Sequence, residues 1–136
     1  MEIKFKDKDH ELNYDSILEL MKKDDCYHRS LAYVFALDTV CFTNLRRLFD
    51  FADDKIKPRS LDEAWQTGTS KKSTRLAFNL WNGYCTDGET YIGSDGFEEI
   101  LPSAYFTPYN IFCCGYAPYY VEAVKIRFPE FLEGWG

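Results

Sequence analysis

Apolar residues recur at three- and four-residue spacing through most of the chain, interrupted by short clusters of Asp, Gly and Pro. That rhythm predicts a succession of short amphipathic helices. A first helix is expected over about residues 9–23, with Leu12, Ile17, Leu20 and Met21 facing inward and charges outside. Asp24 or Asp25 is placed to cap a second helix that runs to Leu37, carrying Leu31, Val34 and Phe35 beside the polar trio Tyr27, His28 and Arg29. Thr39 is placed to cap a third, with Phe42, Leu45, Leu48 and Phe49 on one side. Lys57-Pro58 breaks the pattern. Ser60 and Glu63 then have the spacing of a capping box that opens a short helix toward Trp65. Residues 67–70 read as a turn, followed by a helix that stops at Gly83, with Phe78 and Trp81 as its core anchors.

The rhythm changes over residues 85–103, which Gly88, Gly93, Gly96 and Pro102 punctuate. This stretch predicts either a long ordered loop or a minimal two-stranded element, in which Glu89-Thr90-Tyr91-Ile92 pairs with a neighbour as a small β-hairpin. Thr107-Pro108 opens a helix ended by Gly115, and Ala117-Pro118 opens another ended by Phe128-Pro129. No repeat or low-complexity linker divides the chain. The expected architecture is mainly α: a single domain, residues 1–136, of about six or seven short helices with an irregular acidic insert.

Composition sharpens this picture in two ways. Ten Tyr and eleven Phe in 136 residues exceed the needs of a core this small, so several rings are expected at the surface, where Tyr and Trp favour recognition. The net charge of −6 is also divided. Residues 1–84 hold 14 basic and 14 acidic side chains, whereas residues 85–136 hold only Lys125 and Arg127 against eight acids. An acidic chain is a poor default binder of nucleic acid, since neutralising phosphates needs Lys and Arg. The acidic half instead favours a basic partner.

Five cysteines, an odd count without a C-x-x-C pair, and the lack of a signal peptide or long apolar run read as a cytoplasmic protein with reduced, buried thiols. A zinc site around Cys26 and His28 lacks ligand spacing. The expectation is no metal, no cofactor and no catalytic residues.

Two segments stand out as candidate sites. The first is Asp87 to Tyr109, which mixes acids with rings; Glu89, Tyr91, Asp95, Glu98, Glu99, Tyr105 and Tyr109 are the residues expected to dock on an Arg- or Lys-rich groove. The second is the turn at 65–75, where Trp65, Thr69, Ser70, Lys71, Lys72 and Arg75 combine a ring, hydroxyls, bases and a helix N-terminus. Such a turn suits an anion, a nucleotide or a nucleic acid, with a nuclease among the possible activities. It is not a Walker sequence, because the G-x-x-x-x-G-K-[ST] run is absent. His28 has no nucleophile or orienting acid at recognisable spacing and is expected to hydrogen-bond a neighbouring helix. His10 is expected to be exposed. The adjacent acids Asp24-Asp25, Asp53-Asp54 and Glu98-Glu99 match no hydrolytic dyad.

The runs YHRSLAYVFAL (27–37), IKPRSLDEAWQTGTSKKSTRLAFNLWNGY (56–84) and FCCGYAPYYVEAVKIRFPEF (112–131) resemble a small uncharacterised family carried by mobile elements and phages of Gram-positive bacteria, a domain of unknown function. The resemblance implies a setting rather than a site. Small acidic proteins from such elements are often inhibitors of host defence, including anti-CRISPR proteins that bind Cas9 or its guide-RNA complex. It therefore implies a non-enzymatic inhibitor of a nucleic-acid-handling enzyme in the host cytoplasm.

Overall fold

Helix α2 (Cys26–Leu37) is apolar almost all round, and every residue from Ser30 to Leu37 is buried. A helix of that kind needs covering on several sides. Three helices supply the cover: α1 (Lys8–Met21), α5 (Gly68–Asn82) and α7 (Ala117–Arg127) all pack against it. The computed structural model describes residues 2–132 and gives a mainly α domain, 59% helical, with only 8% strand. The remaining helices are short: α3 (Thr39–Thr43), α4 (Leu45–Leu48), α6 (Pro108–Ile111) and α8 (Pro129–Leu132). Two 3₁₀ turns (Pro58–Asp62 and Ala104–Phe106) and two strand pairs complete the described residues. The pairs are β1 (Phe49–Asp50) with β2 (Lys55–Ile56), and β3 (Thr90–Ile92) with β4 (Glu98–Ile100), both antiparallel.

Local chemistry explains most of the helix ends. Asp7, Asp25 and Asp38 cap α1, α2 and α3, each carboxylate accepting from backbone N–H groups of the first turn. Thr67 caps α5 in a reciprocal box: its hydroxyl accepts from Ser70 N–H, and Ser70 Oγ accepts from Thr67 N–H. Gly83, at φ 80°, ends the same helix in the left-handed conformation that glycine adopts freely.

Several expectations need correction. Leu12 and Leu20 are 51% and 40% exposed rather than inward-facing. Helix α1 buries a single stripe of His10, Tyr14, Ile17 and Met21 against α2, and the leucines fall outside that stripe. His10 is therefore buried, not exposed. The third helix divides at Asn44, is capped by Asp38 instead of Thr39, and gives up Phe49 to a strand. Ser60 and Glu63 form no capping box: Ser60 Oγ donates to the carbonyl of Lys57 in the 3₁₀ turn, and the box forms at Thr67–Ser70. The turn read at 67–70 is already the first turn of α5. Helix α6 stops at Ile111, well before Gly115, and the chain continues through bends and a turn over residues 112–116. Of the cysteines only Cys41 is fully buried, and Cys113 is exposed.

The buried face of α5 is partly polar. Ser70, Ser73 and Thr74 are all buried beside Leu76, Ala77, Phe78 and Leu80. Ser73 Oγ donates to Asp38 Oδ2 at 2.7 Å and accepts from the Tyr120 hydroxyl at 2.5 Å. Asp38 Oδ1 in turn accepts from Val40 and Cys41 N–H. Buried polar atoms satisfied in this way fix the register of α5 and α7 on the α2–α3 corner. Phe78 is fully buried as expected, whereas Trp81 is half-buried, its ring edge-on to His28 and Phe49.

Candidate functional site

The acidic insert folds as a hairpin that stands away from the core. All six residues of β3 and β4 are exposed. The ladder pairs Thr90 with Ile100, Tyr91 with Glu99, and Ile92 with Glu98. Side chains alternate across a strand, so Thr90, Ile92, Glu98 and Ile100 share one face, while Tyr91 and Glu99 share the other. On the first face Thr90 Oγ1 donates to Glu98 Oε1 at 2.7 Å. On the second, a hydrogen bond to the Glu99 carboxylate pushes the Tyr91 phenol pKa up. The connecting turn is tight: Gly96, at φ 84°, donates to the Gly93 carbonyl, and Asp95 Oδ1 accepts from Phe97 N–H.

The foot of the hairpin is tied to α5. Arg75 reaches Asp87 Oδ1 at 3.3 Å and lies 4.8 Å over the Tyr105 ring. Asp87 also accepts from Ser103 Oγ, and Thr86 Oγ1 donates to the Leu101 carbonyl. A cleft of about 280 Å³ opens beside this foot, with Glu89, Leu101 and Tyr105 among its walls.

The structure thus brings Glu89, Tyr91, Asp95, Glu98 and Glu99 together on one projection, with Tyr105 at its base. Tyr109, 83% exposed, sits apart on α6. Four exposed apolar residues join the set: Ile92, Phe97, Ile100 and Leu101. The sequence signal for Ile92 and Ile100 was the two-residue alternation around a glycine turn, too short to separate a surface hairpin from a buried one. No base lies between Arg75 and Lys125 in the chain, so the projection carries carboxylates without intervening cations.

The residues of the alternative site are spread among structural tasks. Ser70 is buried in the capping box, while Thr69 is exposed. Trp65 Nε1 donates to Glu63 Oε1 at 2.6 Å. Lys72 Nζ donates to the Asn110 carbonyl, and Arg75 is held at the hairpin foot. Lys71 is half-buried. The helix N-terminus remains, but most of the bases meant to surround it point elsewhere.

One cluster was missed. His28 sits between two carboxylates, with Nδ1 at 2.8 Å from Asp25 Oδ1 and Nε2 at 2.9 Å from Asp54 Oδ1. Its partner is thus the turn between β1 and β2, not a neighbouring helix. Asp54 in turn accepts from Lys23 Nζ at 2.9 Å. Burial by itself raises both carboxyls, yet the bonds from His28, joined at Asp54 by Lys23, outweigh it and leave both pKa values lowered. Both ring nitrogens are already engaged, so neither is free to take a proton from a substrate. Among the described residues no group of three or more His, Cys, Asp or Glu side chains is placed to hold a metal ion. No helix among them is long and apolar enough to cross a membrane.

No curated protein and no solved structure matches the chain. Its sequence does fit the profile of one family over residues 1–134, and the chain accordingly belongs to the family of unknown function DUF6075.

Proposed function

We propose that this protein is a non-enzymatic binding protein whose acidic-aromatic hairpin docks on a basic groove of a partner protein, inhibiting that partner by occupying the groove. The observation that carries the reading is the hairpin itself. It exposes both faces, groups Glu89, Asp95, Glu98 and Glu99 with Tyr91, Ile92, Phe97 and Ile100, and lies in a stretch without a single base. Rigid apolar anchors ringed by one sign of charge suit a complementary protein surface. Exposed apolar groups of that extent are otherwise a liability on a small domain.

Enzymes that handle nucleic acids carry such grooves, because their channels are lined for phosphate. A host defence enzyme of this class, Cas9 or its guide-RNA complex foremost, is the proposed partner, in keeping with the mobile-element setting that the resemblance implies. The alternative, direct binding of a nucleic acid or nucleotide at the 65–75 turn, has less to draw on. Lys72 and Arg75 are engaged within the fold, and the charge balance opposes phosphate.

The test compares two full-length variants in one capture experiment against a Cas9–guide complex and against host lysate, at low and high salt. Reversal of Glu98 and Glu99 to Lys is expected to abolish capture, with the circular dichroism spectrum unchanged, since exposed charges contribute little to stability. Neutralising Lys71 and Lys72 to Gln is expected to leave capture intact. Loss in the second variant alone overturns the reading in favour of the basic turn.

A further inference from the structure

The hairpin offers more than charge, because its hydrogen-bond register leaves one row of backbone groups on each edge unused. Leu101 N–H donates to the Glu89 carbonyl at 2.9 Å, and Gly93 N–H donates to the Phe97 carbonyl at 2.8 Å. Hydrogen-bonded and non-hydrogen-bonded pairs alternate along an antiparallel ladder. Pairs 89/101, 91/99 and 93/97 are therefore the bonded ones. Thr90 and Ile92 on β3, and Glu98 and Ile100 on β4, direct their N–H and C=O groups outward. Both strands are exposed along their whole length, so these edges are open to water. Open edges of this kind template the addition of another strand.

We infer that the β4 edge captures an extended, basic segment of a partner protein as a third antiparallel strand. This inference rests on the docking role proposed above and specifies how the docking occurs. Charge selects the edge and the occupant. The β4 edge presents Glu98 and Ile100 on one face and Glu99 on the other, whereas the β3 edge presents Thr90, Tyr91 and Ile92. An incoming antiparallel strand thus meets Ile100, then Glu99, then Glu98, and is matched by an apolar residue followed by two basic ones. A second copy of this chain is the wrong occupant. Pairing β4 with itself about Glu99 places Glu99 against Glu99, a like-charge cross-strand pair that destabilises the sheet.

Proline distinguishes strand addition from docking by charge alone. Ile100→Pro removes an outward N–H and leaves the ladder's own bonds in place, as an edge position permits. The probe is an extended eight-residue synthetic peptide carrying an apolar residue followed by two arginines, titrated into the full chain by calorimetry and amide NMR. Binding is expected with slowed exchange at the Glu98 and Ile100 amides. Ile100→Pro, or N-methylation of the peptide amides facing β4, is expected to weaken binding about ten-fold or more, since one unmade hydrogen bond with a group left unpaired costs about 1–3 kcal/mol. Thr90→Pro on the opposite edge is expected to bind normally. Equal binding by the N-methylated peptide overturns strand addition and leaves the docking role standing. Loss in Thr90→Pro but not in Ile100→Pro overturns the choice of edge, and dimerisation of the free chain through β4 overturns the choice of occupant. Unchanged capture of the partner by the Glu98, Glu99 charge-reversed protein removes the parent reading as well.

Discussion

His28 Nε2 lies 2.9 Å from Asp54 Oδ1, a contact across 26 residues that fastens the start of α2 to the turn between β1 and β2. With Asp25 on the other ring nitrogen, both sides of the imidazole face carboxylates. Trp81 meets that ring edge-on at 4.8 Å and closes it from solvent. The α2 cap, the β1–β2 turn and α5 converge on one histidine.

Asp54→Asn tests this clasp cleanly, because Asn tolerates the positive φ of 56° at that position. The substitution is expected to cost about 1–2 kcal/mol near neutral pH, the usual range for a partly screened charged hydrogen bond. Asp25 and Asp54 have carboxyls lowered from 3.8 in the folded protein. A depressed carboxyl contributes fully above its unfolded value and loses the contribution as pH falls through the folded one. The gap in melting temperature between wild type and Asp54→Asn should therefore close as pH drops below about 4. A gap that stays constant to pH 3 would contradict the charged clasp.

His10 predicts acid sensitivity of a different kind. Its Nδ1 accepts from Lys6 N–H at 3.0 Å, so Nε2 carries the proton that it donates to the Tyr33 carbonyl at 2.9 Å. The ring is neutral, and burial holds its pKa below 6.5, against the smaller opposing pull of the Tyr33 carbonyl and Asp7. A depressed histidine contributes fully above its unfolded value. As pH falls below that value, the unfolded chain takes up a proton that the native state refuses. Unfolding free energy should begin to fall below about pH 6.5, ahead of the carboxylate loss, and His10→Gln should flatten that part of the profile. Parallel profiles for the two proteins between pH 6.5 and 5 would sink the assignment.

Phe78→Ala should cost about 3–5 kcal/mol, because its ring is fully buried against Phe35 and Tyr84. Trp81→Ala should cost less, since its ring keeps one side toward solvent. Urea unfolding followed by circular dichroism measures both. A larger loss for Trp81 would mean that the His28 clasp depends on it more than packing alone implies.

Arg75→Gln should loosen the hairpin without unfolding the helices. It removes the Asp87 ion pair and the stack on Tyr105, worth about 1–2 kcal/mol together. Hydrogen exchange should accelerate from Thr86 to Leu101 and stay slow in α2. Uniform acceleration would show that Arg75 supports the core rather than the insert.

Much of the secondary structure was legible in the residues. The caps at Asp25 and Gly83, the Pro118 start of α7 and the small hairpin follow from local chemistry, which acts over three or four residues and can be read directly. The errors share a cause. Leu12 and Leu20 have the right spacing for a buried stripe, but only the position of α2 decides which stripe of α1 is covered. Ser60–Glu63 and Thr67–Ser70 both have a cap pattern, and tertiary packing decides which of them sits at the start of a long helix.

The candidate site divides in the same way. The sequence determined the charge division, the aromatic excess and the glycines that set off residues 85–103, because composition and turn chemistry are local quantities. Only the tertiary structure decided that Arg75 serves the hairpin foot instead of an anion, that His28 lies between Asp25 and Asp54, and that Glu98 and Ile100 point their backbone groups outward. Each of these depends on pairing between residues far apart in the chain, and burial, hydrogen-bond satisfaction and strand register choose such pairings only when the whole core is assembled.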